Sequence, residues 1–197
     1  MITKKIFDDT ETAFKLKSNE DLNRALFLFS MINRPSLVKI GTYLTNISLK
    51  LHLPVEGLIK NTIFKQFSGG ETMEECMKVI EKMYTKKVHS ILDYSVEGKV
   101  EEAQFDAATK KKISIIEFAS EKKELPYAVF KPTGVGRFEI WEKVSSKEDL
   151  TQEEQEEWAR VRNRVDSICG AAFKNDISVL ADGEESWMQD AADDLME

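Results

Sequence analysis

Charged groups stand directly behind three short apolar runs. Asp93, with Glu97 four residues on, follows Val88-His89-Ser90-Ile91-Leu92; Lys131 follows Pro126-Tyr127-Ala128-Val129-Phe130; Asp182 follows Ile177-Ser178-Val179-Leu180-Ala181. A lysine set among acids has two chemical uses. It can be a fixed cation that grips a substrate carboxylate, or, buried and with a lowered pKa, it can form a Schiff base. Nearby carboxylates favour the charged ammonium, and so the first use of Lys131. Each residue also has a plainer reading. A single charged residue past a strand is most often a solvated loop residue, and Glu97, Glu184 and Glu185 suit helix starts, where the helix dipole favours acids. Lys131 is the sharper candidate, because an apolar run aims it and Pro132 fixes the exit of the chain. Asp182 is placed in the same way.

Other candidate motifs are weaker. Gly134-Val135-Gly136 has neither the third glycine of a dinucleotide loop nor a phosphate-loop lysine behind it, and reads as a turn. Gly69-Gly70 ahead of a helix reads as a turn too. The only cysteines, Cys76 and Cys169, and the only histidines, His52 and His89, are isolated. They point to free thiols in a reducing compartment and to no metal site. The formal net charge of −7 argues against a nucleic-acid partner.

The elements that must position these residues are legible from periodicity. Residues 1–17 are polar and unpatterned and are expected to form a mobile arm. Ser18 caps a helix over 20–33, Asn33-Arg34-Pro35 ends it, and a second helix runs from Ser36 to about Leu51. A short helix over Val55–Phe67 and a fourth behind Thr72-Met73-Glu74-Glu75 complete a helical segment, 18–86. From residue 87 the pattern changes. The three apolar runs read as strands, and they alternate with helices over 101–122, from a Thr151-Gln152-Glu153-Glu154 capping box to about Lys174, and from Asp190 onward. Phe138–Val144 reads as a helical turn. The inward faces carry Phe105, Ala108, Ile115, Ile116 and Ala119, then Trp158, Val161, Val165, Ile168 and Ala172.

Strands alternating with helices imply βαβ units and parallel pairing. Three parallel strands would leave two long bare edges. The expected fold is therefore α/β: an N-terminal helical arm followed by the first three βα units of an incomplete (β/α)8 barrel. In such barrels the C-terminal ends of the strands carry the active site, so Lys131, Asp182 and Glu97 are expected to share one mouth. The longest strongly apolar run, Ala25–Ile32, is far shorter than the roughly 20 residues a membrane span needs.

Four strings carry a resemblance: Phe67-Ser68-Gly69-Gly70-Glu71, Leu92-Asp93-Tyr94-Ser95-Val96-Glu97-Gly98, Lys131-Pro132-Thr133-Gly134 and Asp182-Gly183-Glu184-Glu185. In order and spacing they resemble proline dehydrogenase, closest to bacterial stand-alone members, over roughly residues 18–197. The third-strand motif of that family usually has Ala where Gly183 stands. The resemblance implies a distorted barrel that binds FAD without a dinucleotide fingerprint. It implies oxidation of L-proline to Δ1-pyrroline-5-carboxylate, the first step of proline catabolism to glutamate, with electrons passed to a quinone. It further implies that Lys131 contacts the proline carboxylate and that Asp182 sits beside it near the flavin. Gly183 would offer its backbone to the flavin, and Glu97 would pair with an arginine of the last barrel helix. That arginine, its neighbour and most FAD contacts lie beyond this stretch of the family's sequence, so the 197 residues alone are expected to be inactive. A cytoplasmic location, peripheral to the inner membrane, follows from the quinone acceptor. Two rival readings stand beside this one: a Schiff-base barrel enzyme using Lys131, and a non-catalytic module that binds a partner through its helical segment.

Overall fold

The computed structural model describes residues 8–94 and 101–197. The chain divides into two compact units, Met1–Met83 and Tyr84–Glu197.

Every regular element among the described residues of the first unit is helical. A single turn, α1 (Thr10–Ala13), forms where Asp9 accepts from the Thr12 amide at 3.0 Å. Helix α2 (Asn19–Ile32) starts at a reciprocal cap: the Ser18 hydroxyl accepts from the Asp21 amide at 3.1 Å, and the Asp21 carboxylate accepts from the Ser18 amide at 3.1 Å. Helix α3 (Pro35–Lys50) opens on proline, whose missing N–H costs nothing in a first turn. The short α4 (Glu56–Ile59) and α5 (Lys65–Phe67) are joined by a wider π turn over Lys60–Phe64. Phe29 and Phe67 meet edge to face at 6.1 Å and tie α5 to α2. Helix α6 (Met73–Tyr84) follows.

The second unit holds the sheet. Helix α7 (Glu102–Ser120) leads to β1 (Tyr127–Phe130), then α8 (Phe138–Ser145), α9 (Gln152–Lys174), β2 (Ser178–Ala181) and α10 (Gln189–Met196). Strands β1 and β2 pair in parallel, with Tyr127 opposite Ser178 and Phe130 opposite Ala181. Phe105, Ile116, Phe130, Ile140, Trp141, Val161 and Ile168 are buried together as its core. The Thr151 hydroxyl accepts from the Glu154 amide at 3.3 Å, which fixes where α9 begins.

One sequence expectation needs correction. The run 88–94 is not a strand, so the described residues contain two parallel strands rather than three. A β-prone sequence becomes a strand only where a neighbour offers a continuous ladder. Here the Ser90 amide donates to the Glu124 carbonyl at 3.0 Å, and His89 Nδ1 lies 3.0 Å from the Lys123 carbonyl oxygen. Both contacts reach the turn ahead of β1, not the strand itself. Helix α8 forms where a helical turn was expected over Phe138–Val144, and it buries Ile140 and Trp141.

Packing of α7 on α9 includes charge. Arg164 is only 6% exposed, yet its guanidinium donates to Asp106 Oδ1 at 2.8 Å, to Glu102 and to the Val135 carbonyl at 3.0 Å. Arg160 adds a second bond to Glu102. Burial by itself would raise the Glu102 carboxyl; the bonds from the two arginines outweigh it and hold the group below its ordinary value.

Candidate functional site at the strand ends

The parallel register continues past the last paired residues. The Asp182 amide donates to the Phe130 carbonyl at 2.9 Å, so the chain stays in step one residue beyond each strand. Lys131 then lies opposite Asp182, and its ammonium is 2.9 Å from Asp182 Oδ2. Two residues further along, Thr133 faces Glu184. The Glu184 carboxylate accepts from the Thr133 amide at 2.8 Å and from its hydroxyl at 2.6 Å. Both cross-links therefore join the segments that follow β1 and β2. Pro132–Gly134 forms a tight 3-10 turn between them, with the Gly134 amide donating to the Lys131 carbonyl at 2.9 Å.

Burial sets the character of the pair. Phe130 is buried and ends β1, so Lys131 leaves from a fixed point. Its side chain is 21% exposed and that of Asp182 is 46% exposed. The ammonium is thus drawn partly out of water and held by a carboxylate.

A second lysine lies behind this one. Lys112, 6% exposed, sits on α7 and its ammonium pairs with the Asp93 carboxylate. A small cavity of about 10 Å³ lies between Lys112 and Lys131, walled by Tyr94, Phe130 and Gly134. It has the room of roughly one water molecule. Asp93 therefore reaches the neighbourhood of Lys131 although its segment is not a strand.

The other sequence candidates fare differently. Gly183 is exposed beside Asp182, and a side chain there would meet only Gln189 Oε1, at 3.6 Å. Its backbone is open on that side. Glu97 lies outside the described residues. Glu185 is exposed as the residue before the Ser186–Met188 turn. Among the described residues no cluster of three or more His, Cys, Asp or Glu side chains gathers as for a metal ion, and no helix is long and apolar enough to cross a membrane.

Sequence reasoning missed three of these side chains. Glu184 suits a helix start as its plainer reading, yet it binds Thr133; the signal was its offset, two residues after Asp182, matching Thr133 two residues after Lys131. Lys112 falls on the inward stripe between Ala108 and Ile115, where a lysine is out of place unless paired. Arg164 interrupts the apolar face of α9 in the same manner.

Comparison with known proteins places this face in context. The family model described as proline dehydrogenase matches residues 76–197. The chain belongs to the proline dehydrogenase family. The match takes in both strands and all four residues of the two cross-links. Among relatives, the carbapenem antibiotics biosynthesis protein CarD of Pectobacterium carotovorum subsp. carotovorum is 28% identical over 141 residues, covering 72% of this chain and 38% of that protein. The mitochondrial proline dehydrogenase 1 of Caenorhabditis elegans is 36% identical over 111 residues, 55% of this chain and 18% of that protein. The mitochondrial proline dehydrogenase 1 of Dictyostelium discoideum is 23% identical over 220 residues, 92% of this chain and 38% of that protein. The chain thus spans well under half the length of these proline dehydrogenase relatives.

Proposed function

We propose that this chain supplies part of the substrate site of a flavin-dependent enzyme that oxidises L-proline to Δ1-pyrroline-5-carboxylate. The observation that carries the reading is the Lys131–Asp182 pair at adjacent strand ends. It is supported by the family assignment.

In this reading Lys131 donates a charge-assisted hydrogen bond to the proline carboxylate. Asp182 holds the ammonium in place until substrate arrives. The Thr133–Glu184 link keeps the two strand ends in register, so that a substrate meets a formed site. Strands β1 and β2 are neighbours in a (β/α)8 barrel, with the substrate at the C-terminal end of its strands. The residues present suit the edge of a flavin: the backbone at Gly183 is unobstructed and lies next to the polar pair. FAD is the cofactor we assign, with Gly183 against it, and when bound it would accept the hydride from the proline ring. Glu97 is assigned to pair with an arginine of the completed barrel. A membrane quinone is the electron acceptor in this scheme, reached by peripheral attachment to the membrane.

Spectroscopy and dye reduction test the reading together. A protein containing residues 1–197 within a complete barrel should carry a yellow flavin and reduce an artificial acceptor when given L-proline. A covalent adduct trapped on Lys131 by borohydride, with no flavin and no dye reduction, would overturn it in favour of Schiff-base chemistry.

A further inference from the structure

The loop behind Lys131 lies along one stripe of α9, residue by residue. Arg137 is bound in a bidentate fork by Glu157, with Nε–Oε1 at 2.6 Å and Nη2–Oε2 at 2.8 Å. Gly136 rests on Val161: a β-carbon there would stand 2.5 Å from Val161 Cγ2. The Val135 carbonyl accepts from Arg164 at 3.0 Å. Residues 157, 161 and 164 are spaced i, i+4, i+7, so they share one face of the helix, and they meet 137, 136 and 135 in reverse order. Glu157 is 8%, Val161 0% and Arg164 6% exposed. Buried charges on a helix are retained where each has a partner. Here Glu157 holds the loop, and Arg164 holds both the loop and helix α7.

We infer that Glu157, Val161 and Arg164 are positioning residues that fix where Lys131 stands. The inference rests on the reading of Lys131 as the contact for the substrate carboxylate. The loop leaves β1 at Lys131, turns through Pro132–Gly134, and is pinned at three consecutive residues directly afterwards. A shift of the loop along α9 therefore pulls on the turn that aims Lys131. Gly136 is the weak point of the arrangement, because Val161 Cγ2 and Trp141 Nε1, which would stand 2.5 and 3.1 Å from a β-carbon, leave no space for any other residue.

Lysine labelling of residues 1–197 within the complete barrel tests this without substrate. The rate of reductive methylation of each lysine is read by mass spectrometry. Gly136→Ala should raise the rate at Lys131 several-fold, since the loop must lift from α9. Adding Val161→Ala removes the obstructing methyl groups and should return the rate at Lys131 toward wild type, although it opens a cavity in the core. Glu157→Gln, which keeps the shape of the side chain and weakens the fork, should raise it by a smaller factor. Lys112, held by Asp93 on α7, should not change in any of these variants. Unchanged labelling of Lys131 in both Gly136→Ala and Glu157→Gln would overturn the inference. So would a parallel rise at Lys112, which would mean general loosening. If a complete enzyme fails to oxidise proline, the reading of the site falls, while the labelling result still decides what the α9 stripe does.

Discussion

Lys131 and Asp182 are 51 residues apart in sequence, yet they face each other at 2.9 Å one step beyond the last paired residues of two parallel strands. The same register brings Thr133 to Glu184. The pair and the link are consequences of one ladder, so a change in either should be felt by the other.

Removing the ammonium should weaken substrate binding more than it weakens folding. In a complete enzyme, Lys131→Ala deletes a charge-assisted hydrogen bond worth roughly 1.5–3 kcal/mol. The Michaelis constant for proline should rise roughly tenfold to a hundredfold. Steady-state dye reduction checks this; unchanged proline kinetics would remove Lys131 from the site.

Thr133→Val deletes a hydroxyl that donates to a carboxylate and leaves the amide bond to Glu184 in place. The expected loss of stability is about 1–2 kcal/mol, read from urea unfolding. In Glu184→Gln the additional loss from Thr133→Val should shrink, because the hydroxyl no longer meets a charge. Full additivity in that double-mutant cycle would mean that the two side chains do not interact.

Acid should loosen the second unit through its arginine- and lysine-bound carboxylates. Glu154, held by Lys143 and the Thr151 amide, is drawn from 4.5 down to about 2, and Glu102 is also lowered. A carboxyl whose folded pKa lies below its unfolded value binds more protons when unfolded. Its contribution is therefore fully present above about 4.5 and is lost as pH falls toward 2. Circular dichroism melts between pH 6 and pH 2, as rough bounds, should show falling stability across that interval. In Lys143→Met and Arg160→Met variants the fall should be shallower; an identical slope would contradict the assignment.

Residues 1–197 by themselves should neither hold FAD nor oxidise proline. A barrel closes only when strand number, tilt and shear agree, and the described residues provide two paired strands. An ammonium also lacks the planar fork with which an arginine grips a carboxylate. The purified chain is expected to be colourless and prone to self-association. A stoichiometric flavin spectrum with proline-dependent dye reduction would refute this.

Membrane attachment in the complete enzyme should be peripheral. Alkaline or high-salt washing should release it from a membrane fraction; retention through both washes would contradict peripheral binding.

Local chemistry was readable from the sequence alone. Ser18 with Asp21, and Thr151 with Glu154, cap helices through bonds that span three residues, so adjacent letters suffice to predict them. The apolar runs that became β1 and β2, and the placement of Lys131 and Asp182 behind them, were legible for the same reason. The four strings also sufficed to indicate the family. What the sequence did not decide was which distant groups would meet. The run 88–94 has strand-forming residues, but strand formation depends on a neighbour's hydrogen bonds, and Ser90 and His89 meet Glu124 and Lys123, in the turn ahead of β1, instead. Glu184 could equally have capped a helix until the parallel register set it against Thr133. Lys112 and Arg164 look misplaced on apolar faces, and only the fold shows their partners: Asp93 for one, and Asp106, Glu102 and the Val135 carbonyl for the other. A buried charge requires a partner, but pairing across tens of residues is set by register and helix packing, and those exist only in the tertiary structure.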